Sequence, residues 1–267
     1  MARSIDLTVV KLGGSVITIK QKPQNVNLPN VKRLAREIKQ ADIRSLILIH
    51  GGGSYGHPIA EEYGIIEGYR YPEQLIGFSK TRQAMMTLTK FIIDVLVQNN
   101  IAAVSMQPSA FILTKKGRIS AVNSSLIERM LKINLVPLLY GDAVLDESQG
   151  FSILSGDQLA VNLAINLKAS QIIMGIDVDG LYTEDPKVNP DAILIEKIRL
   201  NELKHSLNKI SRALTTDVTK GMLGKILELI PAVEAGILVK IINAKSPNRL
   251  YKALRNEKVK GTEIKQR

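Results

Sequence analysis

The chain has 267 residues, 45% of them apolar and 4% aromatic, which is enough to bury a sizeable core of aliphatic side chains. It contains no cysteine and three histidines, which excludes disulfides and a cysteine nucleophile and argues against a thiolate or histidine metal centre. The formal net charge of +11 suits ligands that carry several phosphates, whereas dispersed lysines and rare aromatic side chains argue against a nucleic-acid partner.

The sequence gives no sign of a membrane segment. No window comes near 18 consecutive apolar residues. The N-terminus leads directly into a β-branched run, without the basic region and apolar stretch of a leader. We therefore expect a soluble cytoplasmic protein without a membrane partner.

Strands and helices alternate along the first half of the chain. Short apolar runs predict strands, apolar residues at helical spacing predict helices, and turn residues between short alternating runs predict hairpins. In chain order the predicted elements are a strand at 7–12, a helix at 28–40, a strand at 45–50, a helix at 72–99, a strand at 102–107, a hairpin at 111–121, a strand at 135–140 and a hairpin at 143–153.

The second half continues the alternation. Ser155 is placed to cap a helix that runs to Leu167. The remaining predicted elements are strands at 171–176 and 238–243 and helices at 201–210, 221–235 and 247–254, with polar loops at 20–29 and 211–220.

This order of elements predicts the α/β class. Strands separated by helices form a mainly parallel central sheet with helices on both faces. The two hairpins are expected to form a lid or a small separate sheet. We expect a single domain over residues 1–267, with ligands beyond the carboxyl ends of the strands.

The most informative motif follows the second predicted strand. There the sequence reads H-G-G-G-S-Y-G-H from His50 to His57. A strand that leads into three glycines lets backbone N–H groups approach a phosphate without interference from side chains. His57 would lie at the edge of that anion site, where an imidazole donates to phosphate and titrates near neutral pH. His50 is more simply explained as a residue that satisfies the turn.

A second glycine turn follows the first strand, as K-L-G-G-S from Lys11 to Ser15. The lysine would lie at the end of the strand, where it meets the loop. Neither turn is a Walker A loop or a G-x-G-x-x-G dinucleotide motif. Two glycine turns on early strands of one sheet nevertheless predict a phosphate site.

Further motifs occur at the ends of later elements. They are Y-G-D at 140–142, S-G-D at 155–157, D-V-D-G-L-Y at 177–182, D-V-T-K-G-M-L-G-K at 217–225 and a terminal G-T-E-I at 261–264. In this order and over nearly the whole chain, the set resembles the amino acid kinase superfamily and, within it, the archaeal-type isopentenyl phosphate kinases. His57 narrows the resemblance, because the amino-acid and uridylate branches do not characteristically carry that histidine.

The resemblance implies transfer of the γ-phosphoryl group of ATP to isopentenyl phosphate in isoprenoid biosynthesis. It also implies Mg²⁺ as a cofactor and a homodimer, and it assigns no side chain as a metal ligand. The acceptor would be bound by the N-terminal part, about residues 1–155, and the nucleotide by the C-terminal part, about residues 156–267.

On the donor side, the resemblance implies three catalytic or phosphate-binding lysines. Lys11 would bridge the donor and acceptor phosphates, Lys20 would reach over the transferring group, and Lys225 would hold the β- or γ-phosphate of ATP. The other residues implied to bind ATP are Gly13, Gly14, Ser15, Gly53, Asp177, Tyr182 and Gly221.

On the acceptor side, His57 would grip the acceptor phosphate, and Gly52 and Gly156 would approach the acceptor. Asp157 would orient the lysines. Three residues of the long predicted helix, Phe78, Met85 and Met86, are candidates for contact with the apolar tail, although core packing explains each of them more simply.

One position departs from the family pattern. The family commonly has T-G-G-M, whereas this chain has Thr219-Lys220-Gly221-Met222. Lys220 either requires a negative φ there or points a further cation towards the nucleotide.

Two other functions are compatible with the motifs. One is a kinase of another small phosphate or phosphonate, such as fosfomycin, which would share the histidine and differ in the apolar pocket. The other is a nucleotide-binding sensor or storage protein without catalysis, but binding alone needs fewer cations near the γ-phosphate than Lys11, Lys20 and Lys225 supply.

Overall fold

The computed structural model describes residues 6–184, 186, 189, 191–205 and 217–266, and for residues 217–221 it describes the backbone alone. Twelve strands occur in this part of the chain: β1 Thr8–Leu12, β2 Leu46–His50, β3 Ala103–Ser105, β4 Ile112–Lys115, β5 Arg118–Val122, β6 Val136–Tyr140, β7 Asp142–Asp146, β8 Gly150–Leu154, β9 Gln171–Ile176, β10 Lys197–Arg199, β11 Leu238–Asn243 and β12 Gly261–Lys265.

Eight α-helices lie between these strands in the described part of the chain. They are α1 Gly14–Ile17, α2 Leu28–Ala41, α3 Gly53–Glu62, α4 Glu73–Gln98, α5 Ser125–Lys132, α6 Gly156–Asn166, α7 Asp217–Glu234 and α8 Arg249–Leu254. Short 3₁₀ turns occur at Ile65–Glu67 and Pro108–Ala110, and residues 200–205 are also helical. Within the described residues, no helix is both long enough and apolar enough to cross a bilayer.

The central sheet has eight strands in the order β10-β12-β11-β9-β1-β2-β6-β3. The pairs from β11 to β3 are parallel, while β12 is antiparallel to β11 and parallel to β10. Every residue of β1, β2 and β9 is buried, as expected for strands that are covered on both faces. The predicted fold class is confirmed.

A separate apolar core lies on each face of this sheet. On one face, Leu159 of α6 and Leu229 of α7 pack against inward residues of the central strands. On the other face, Leu34 of α2, Leu88 of α4 and Leu250 of α8 do the same. Helices on both faces therefore hold the strand ends rigidly at one edge.

The two predicted hairpins form a second sheet in the order β5-β4-β7-β8. They join through a parallel contact between Thr114 and Asp146. The sheet is attached to α6 by Gln158, which accepts a hydrogen bond from Ile119 N at 2.8 Å and donates to Gly117 O at 3.1 Å. The hairpins thus form a small sheet beside the central one.

Several elements differ from the sequence prediction. Helices α1 and α3 follow the glycine turns and were not predicted, because glycine and Pro58 are weak helix formers. Helix α5 and strands β10 and β12 were also not predicted. Helix α7 begins at Asp217 rather than at residue 221, so the predicted loop at 211–220 is wrong over its last four residues, and residues 211–216 lie outside the described part.

Asp146 holds the turns of the second sheet. Its carboxylate accepts backbone hydrogen bonds from Lys116, Gly117, Ser148 and Gln149 at 2.8–3.1 Å. Burial by itself would raise the pKa of Asp146, but these bonds outweigh it and lower the pKa to about 2. The carboxylate therefore stabilises the fold at pH values above its unfolded pKa, and this contribution is lost as the pH falls from about 4 to about 2.

We expect Asp146→Asn to reduce the free energy of unfolding by roughly 1–3 kcal/mol at pH 7, because the amide keeps one acceptor oxygen where the carboxylate has two. Urea unfolding at pH 7 and at lower pH measures this, and the difference from wild type should shrink towards pH 2. The matched control is Glu147→Gln, an exposed neighbour. Equal stability of Asp146→Asn and wild type at pH 7 would contradict the assignment.

Candidate active site

The carboxyl ends of four neighbouring strands meet at one edge of the central sheet. Leu12 of β1 lies beside His50 of β2 on one side and Gly175 of β9 on the other, and His50 lies beside Tyr140 of β6. Four of the predicted motifs, K-L-G-G-S, H-G-G-G-S-Y-G-H, Y-G-D and D-V-D-G-L-Y, lie at these strand ends, so the parallel register brings them together. This edge is where α/β sheets bind ligands.

A cleft of about 1130 Å³ opens at this edge. It is lined by 13 of the 14 predicted site residues, and the remaining one, Gly221, lies on α7 with its surroundings outside the described part. The residues that line the cleft are Lys11, Gly13, Gly14, Ser15, Lys20, Gly52, Gly53, His57, Gly156, Asp157, Asp177, Tyr182 and Lys225.

The two glycine turns are in direct backbone contact. A Cβ atom on Gly14 would collide with the backbone nitrogen of Gly53, and a Cβ on Gly51 would lie 2.8 Å from the nitrogen of Gly14. Gly53 has a φ of +51°, in the left-handed region that favours glycine. Glycine is therefore required here for close packing of the two turns as well as for access to a ligand.

Asp157 lies between two lysines at the floor of the cleft. Its Oδ1 is 2.6 Å from Lys11 Nζ, and its Oδ2 is 2.8 Å from Lys225 Nζ. Lys11 and Asp157 are buried, at 4% and 8% exposure, and they come from β1 and the first turn of α6. An ammonium group carries three donors, so Lys11 can pair with Asp157 and still donate to a ligand in the cleft.

The charges of this trio depend on one another. Burial lowers the pKa of Lys11, Asp157 opposes that shift, and the positive charge of Lys225 adds to it. Burial alone would raise the pKa of Asp157, but the two lysines outweigh it and lower the pKa. A buried carboxylate held ionised in this way keeps two cations at the strand ends, with one net positive charge for a ligand.

His57 lies on α3, at the rim of the same cleft. Its ring is close to Gly52, since a Cβ atom on Gly52 would be 3.5 Å from His57 Nε2. Enclosure by the cleft walls lowers the pKa of His57, and the positive charges of Lys11 and Lys225 lower it further. The imidazole is therefore exposed to solvent on one side and faces a positively charged floor on the other.

His50 is not part of this exposed surface. It is fully buried, stacks on Tyr140 with ring centroids 5.3 Å apart, and lies within hydrogen-bond distance of Thr89 and of the Gly51 carbonyl. Burial lowers its pKa to about 4, which keeps the ring neutral near pH 7. Its contacts match the expected role of satisfying a turn.

At the other end of the cleft, Lys20 and Asp177 lie 4.0 Å apart, between Nζ and Oδ2. The Lys20 side chain is 68% exposed. Burial would raise the pKa of Asp177, but interactions with the Ser15 side chain and the charge of Lys20 outweigh it and lower the pKa. This pair is loose, so Lys20 is free to follow a ligand.

Of the three tail-contact candidates, the structure places one at the cleft. Met85 is buried and lines it. Phe78 does not line it and packs against Phe151 of the second sheet at 5.3 Å between ring centroids. Met86 is 51% exposed and points away from the cleft, because it lies one residue, or 100°, further round the helix than Met85.

Apolar residues also enter the cleft from the second sheet. Ile153 and Leu154 of β8 line it together with Met85, and Thr81 and Asp142 lie beside them. Burial raises the pKa of Asp142 to about 6, and hydrogen bonds from Ser109 and Ala143 counter that shift in part. The sequence motif Y-G-D pointed to Asp142 without showing that it faces an apolar wall.

Comparison with known proteins places this geometry in a family. The sequence profile described as the amino acid kinase family matches residues 6–243. The chain belongs to the amino acid kinase family. The predicted membership is confirmed.

Family members that are named isopentenyl phosphate kinase are similar to this chain over nearly its whole length. The isopentenyl phosphate kinase of Methanothermobacter thermautotrophicus is 43% identical, over 97% of this chain and 98% of that protein. The one from Methanocaldococcus jannaschii is 38% identical over the same shares. A solved X-ray structure of isopentenyl phosphate kinase superposes with a TM-score of 0.85 at 40% identity, covering 97% and 99%. The resemblance to this branch is confirmed.

In this amino acid kinase family member, the turn that carries Asp177 and Tyr182 is held by an aspartate to which the sequence analysis gave no role. Asp179 lies in the D-V-D-G-L-Y turn and binds three donors: Arg249 at 2.6 Å, Lys260 at 2.7 Å and Asn243 at 3.1 Å. Burial would raise the pKa of Asp179, but these donors lower it to about 2. Asp179 belongs to the D-V-D-G-L-Y motif, but the sequence analysis gave roles only to Asp177 and Tyr182 in that motif.

The terminal G-T-E-I motif holds the same turn. Thr262 Oγ1 accepts a hydrogen bond from Leu181 N at 2.8 Å and donates to Ile195 O at 2.7 Å. Gly180 packs against Thr262 so closely that a Cβ would collide with its hydroxyl. β12 therefore fixes the loop that carries Asp177 and Tyr182.

We expect Asp179→Asn to raise the KM for ATP about three- to tenfold with a smaller change in kcat, because loss of the charge loosens the turn without touching the lysine floor. Steady-state kinetics with ATP varied measures this. The matched control is Asp94→Asn, which removes an exposed ion pair with Lys90 and should change little. An unchanged KM for ATP in Asp179→Asn would count against the anchor.

Proposed function

We propose that this chain transfers the γ-phosphoryl group of ATP to isopentenyl phosphate, giving isopentenyl diphosphate and ADP in isoprenoid biosynthesis. The observation that carries the proposal is the Lys11–Asp157–Lys225 floor beneath two touching glycine turns, with an apolar wall beside His57. The similar proteins named isopentenyl phosphate kinase support it. Membership of this kinase family implies ATP as the co-substrate.

The reaction needs no general base. An oxygen of the acceptor phosphate attacks the γ-phosphorus, and the bond from that phosphorus to the bridging oxygen of ADP breaks. The acceptor oxygen is already anionic near neutral pH, so positioning and charge neutralisation carry the catalysis. The lysine floor and the two glycine turns supply both.

Three cations act on the donor side in this proposal. Lys11, whose ammonium group has donors beyond the one that faces Asp157, bridges the donor and acceptor phosphates. Lys225 holds the β- or γ-phosphate from α7, and Lys20 reaches over the transferring group from its exposed loop. Asp157 holds Lys11 and Lys225 in place and does not contact the phosphates.

Gly13, Gly14, Ser15 and Gly53 would give backbone donors to ATP, while Asp177 and Tyr182 meet the base and ribose. Gly221 would lie at the nucleotide, and Lys220 belongs to α7 with its side chain outside the described part.

His57, Gly52 and Gly156 form the acceptor side. His57 would grip the acceptor phosphate, and Gly52 would allow its close approach. Met85 and the β8 residues Ile153 and Leu154 then face the five-carbon tail. The apolar residues of this wall suit a hydrocarbon tail better than a small polar phosphonate such as fosfomycin.

Mg²⁺ would reach the site with ATP and neutralise phosphate charge. Among the described residues, no three His, Cys, Asp or Glu side chains come together as a metal site. Since Mg²⁺ prefers phosphate oxygens and water with few protein carboxylates, we propose that the protein contributes little direct ligation.

Three further predictions stay proposals. The chain would work as a single domain in the cytoplasm, with acceptor contacts in about residues 1–155 and nucleotide contacts in about residues 156–267. It would form a homodimer. Support for the homodimer comes from α4, where Leu75, Met86 and Val97 repeat at eleven-residue spacing on one helical face and are each at least 51% exposed.

A substrate screen tests the function directly. We expect ATP-dependent ADP release with isopentenyl phosphate, and none above background with fosfomycin or acetylglutamate. Coupled detection of ADP and ³¹P NMR of the product diphosphate measure both sides of the reaction. Turnover of fosfomycin alone would favour the phosphonate kinase, and ATP binding without turnover of any acceptor would favour a sensor.

We expect His57→Ala to lower kcat/KM for isopentenyl phosphate at least tenfold while the affinity for ATP stays within about threefold, since a hydrogen bond to a charged group is worth roughly 1.5–3 kcal/mol. Kinetics in the acceptor and calorimetry with ATP separate the two effects. His205→Ala is the matched control, because His205 is exposed and does not line the cleft. Wild-type acceptor kinetics in His57→Ala would show that the histidine turn does not bind the acceptor.

A further inference from the structure

The hydroxyl of Thr18 lies between the two glycine turns. Thr18 is 2% exposed and ends helix α1. Its Oγ1 donates to the Gly14 carbonyl at 2.8 Å and accepts from the Ser54 backbone N–H at 3.1 Å. One side-chain oxygen thus joins the turn after β1 to the first turn of α3.

The atoms around this hydroxyl are closely packed. A Cβ on Gly53 would collide with Thr18 Oγ1, and a Cβ on Gly14 would collide with Gly53. A shift of Thr18 would therefore move the turn at residues 51–57 relative to the turn at residues 13–15.

The same residues close the base of the loop that carries Lys20. Thr18 pairs with Val26 in an antiparallel bridge, and Ile19 N donates to Asn25 O at 2.9 Å. From the other side, Ser54 O accepts from Gln24 N at 2.9 Å, and Ser54 Oγ accepts from Asn25 N at 3.4 Å. Residues 20–24 between these anchors are exposed, and Lys20 is two residues from the Thr18 hydroxyl.

We propose that Thr18 is a positioning residue that sets the reach of Lys20 by holding together the two glycine turns to which the Lys20 loop is anchored. Its hydroxyl does so through the Ser54 N–H and the Gly14 carbonyl, and it touches no substrate. The proposal rests on the proposed function, because Lys20 is taken to act on the transferring phosphoryl group.

The test compares Thr18→Val, which keeps the shape and removes both hydrogen bonds, with Thr18→Ser, which keeps the hydroxyl. Thr18→Val should lower kcat at least tenfold, with the KM for ATP and for isopentenyl phosphate changed less than threefold, and Thr18→Ser should stay within twofold of wild type. Thr114→Val is the matched control. Its hydroxyl is also buried and bonds Leu145 O and Ser152, but in the second sheet. It should lower Tm and leave kcat within twofold.

A double-mutant cycle asks whether Thr18 acts through Lys20. In the Lys20→Ala background, Thr18→Val should lower kcat by less than about threefold, because the group that it positions is gone. The full tenfold loss in that background, or a wild-type kcat in Thr18→Val alone, would overturn the proposal.

A second readout does not depend on the acceptor or on activity. The chain contains no tryptophan, so Gln21→Trp places a single reporter in the exposed loop. Thr18→Val should lower the fluorescence anisotropy of this reporter and raise its quenching by acrylamide, and Thr18→Ala should do the same if the valine variant folds poorly. If the wild-type protein does not turn over isopentenyl phosphate, the proposed function fails, but the anisotropy measurement still tests whether Thr18 positions the loop. Unchanged anisotropy in both Thr18 variants would overturn the positioning role of Thr18.

Discussion

Two ammonium groups share one buried carboxylate at the edge of the central sheet, and the geometry of the cleft depends on that contact. Lys11 is desolvated, which favours its neutral form, and Lys225 adds repulsion. Asp157 offsets both, but it can do so only because α6 begins at the level where β1 ends. Loss of the carboxylate would leave a buried cation uncompensated, a costly state in a protein interior. The trio therefore couples the position of α6 and α7 to the charge that the cleft offers.

The parallel sheet makes this contact possible. Because β1, β2, β6 and β9 are in register and buried on both faces, their carboxyl ends lie at the same level. Each loop then starts from a fixed point, and glycines allow neighbouring loops to touch. Fixed backbone donors need little reorganisation when charge develops on a transferring group, which is a main source of catalysis in such sites.

The elements of the central sheet could be predicted because each strand is a continuous apolar run, and β9 and β11 were predicted to the residue. Most of the motif residues could be placed together because they follow the ends of strands, whereas Gly221 and Lys225 lie on α7 and were placed by the family resemblance. The contacts that hold the loops could not be predicted. Thr18 and Asp179 act through partners that are far away in sequence, such as Ser54 and Arg249, and no local pattern encodes those partners. The prediction that Met86 contacts the tail fails for a similar reason. Helical spacing shows which residues share a face of α4, but it does not show whether that face packs against the cleft or lies in solvent.

The two sheets supply different parts of the cleft, and this separation affects how acceptor specificity can diverge. The central sheet and the helices α6 and α7 supply the charged floor and the glycine turns, whereas the second sheet supplies Ile153 and Leu154 of the apolar wall. It is held to α6 by the side chain of Gln158, next to the carboxylate that organises the lysines. The recognition surface can therefore diverge through substitutions on β7 and β8 while the phosphate chemistry is inherited intact. Grafting this small sheet from a relative is a natural route to enzymes with new acceptors.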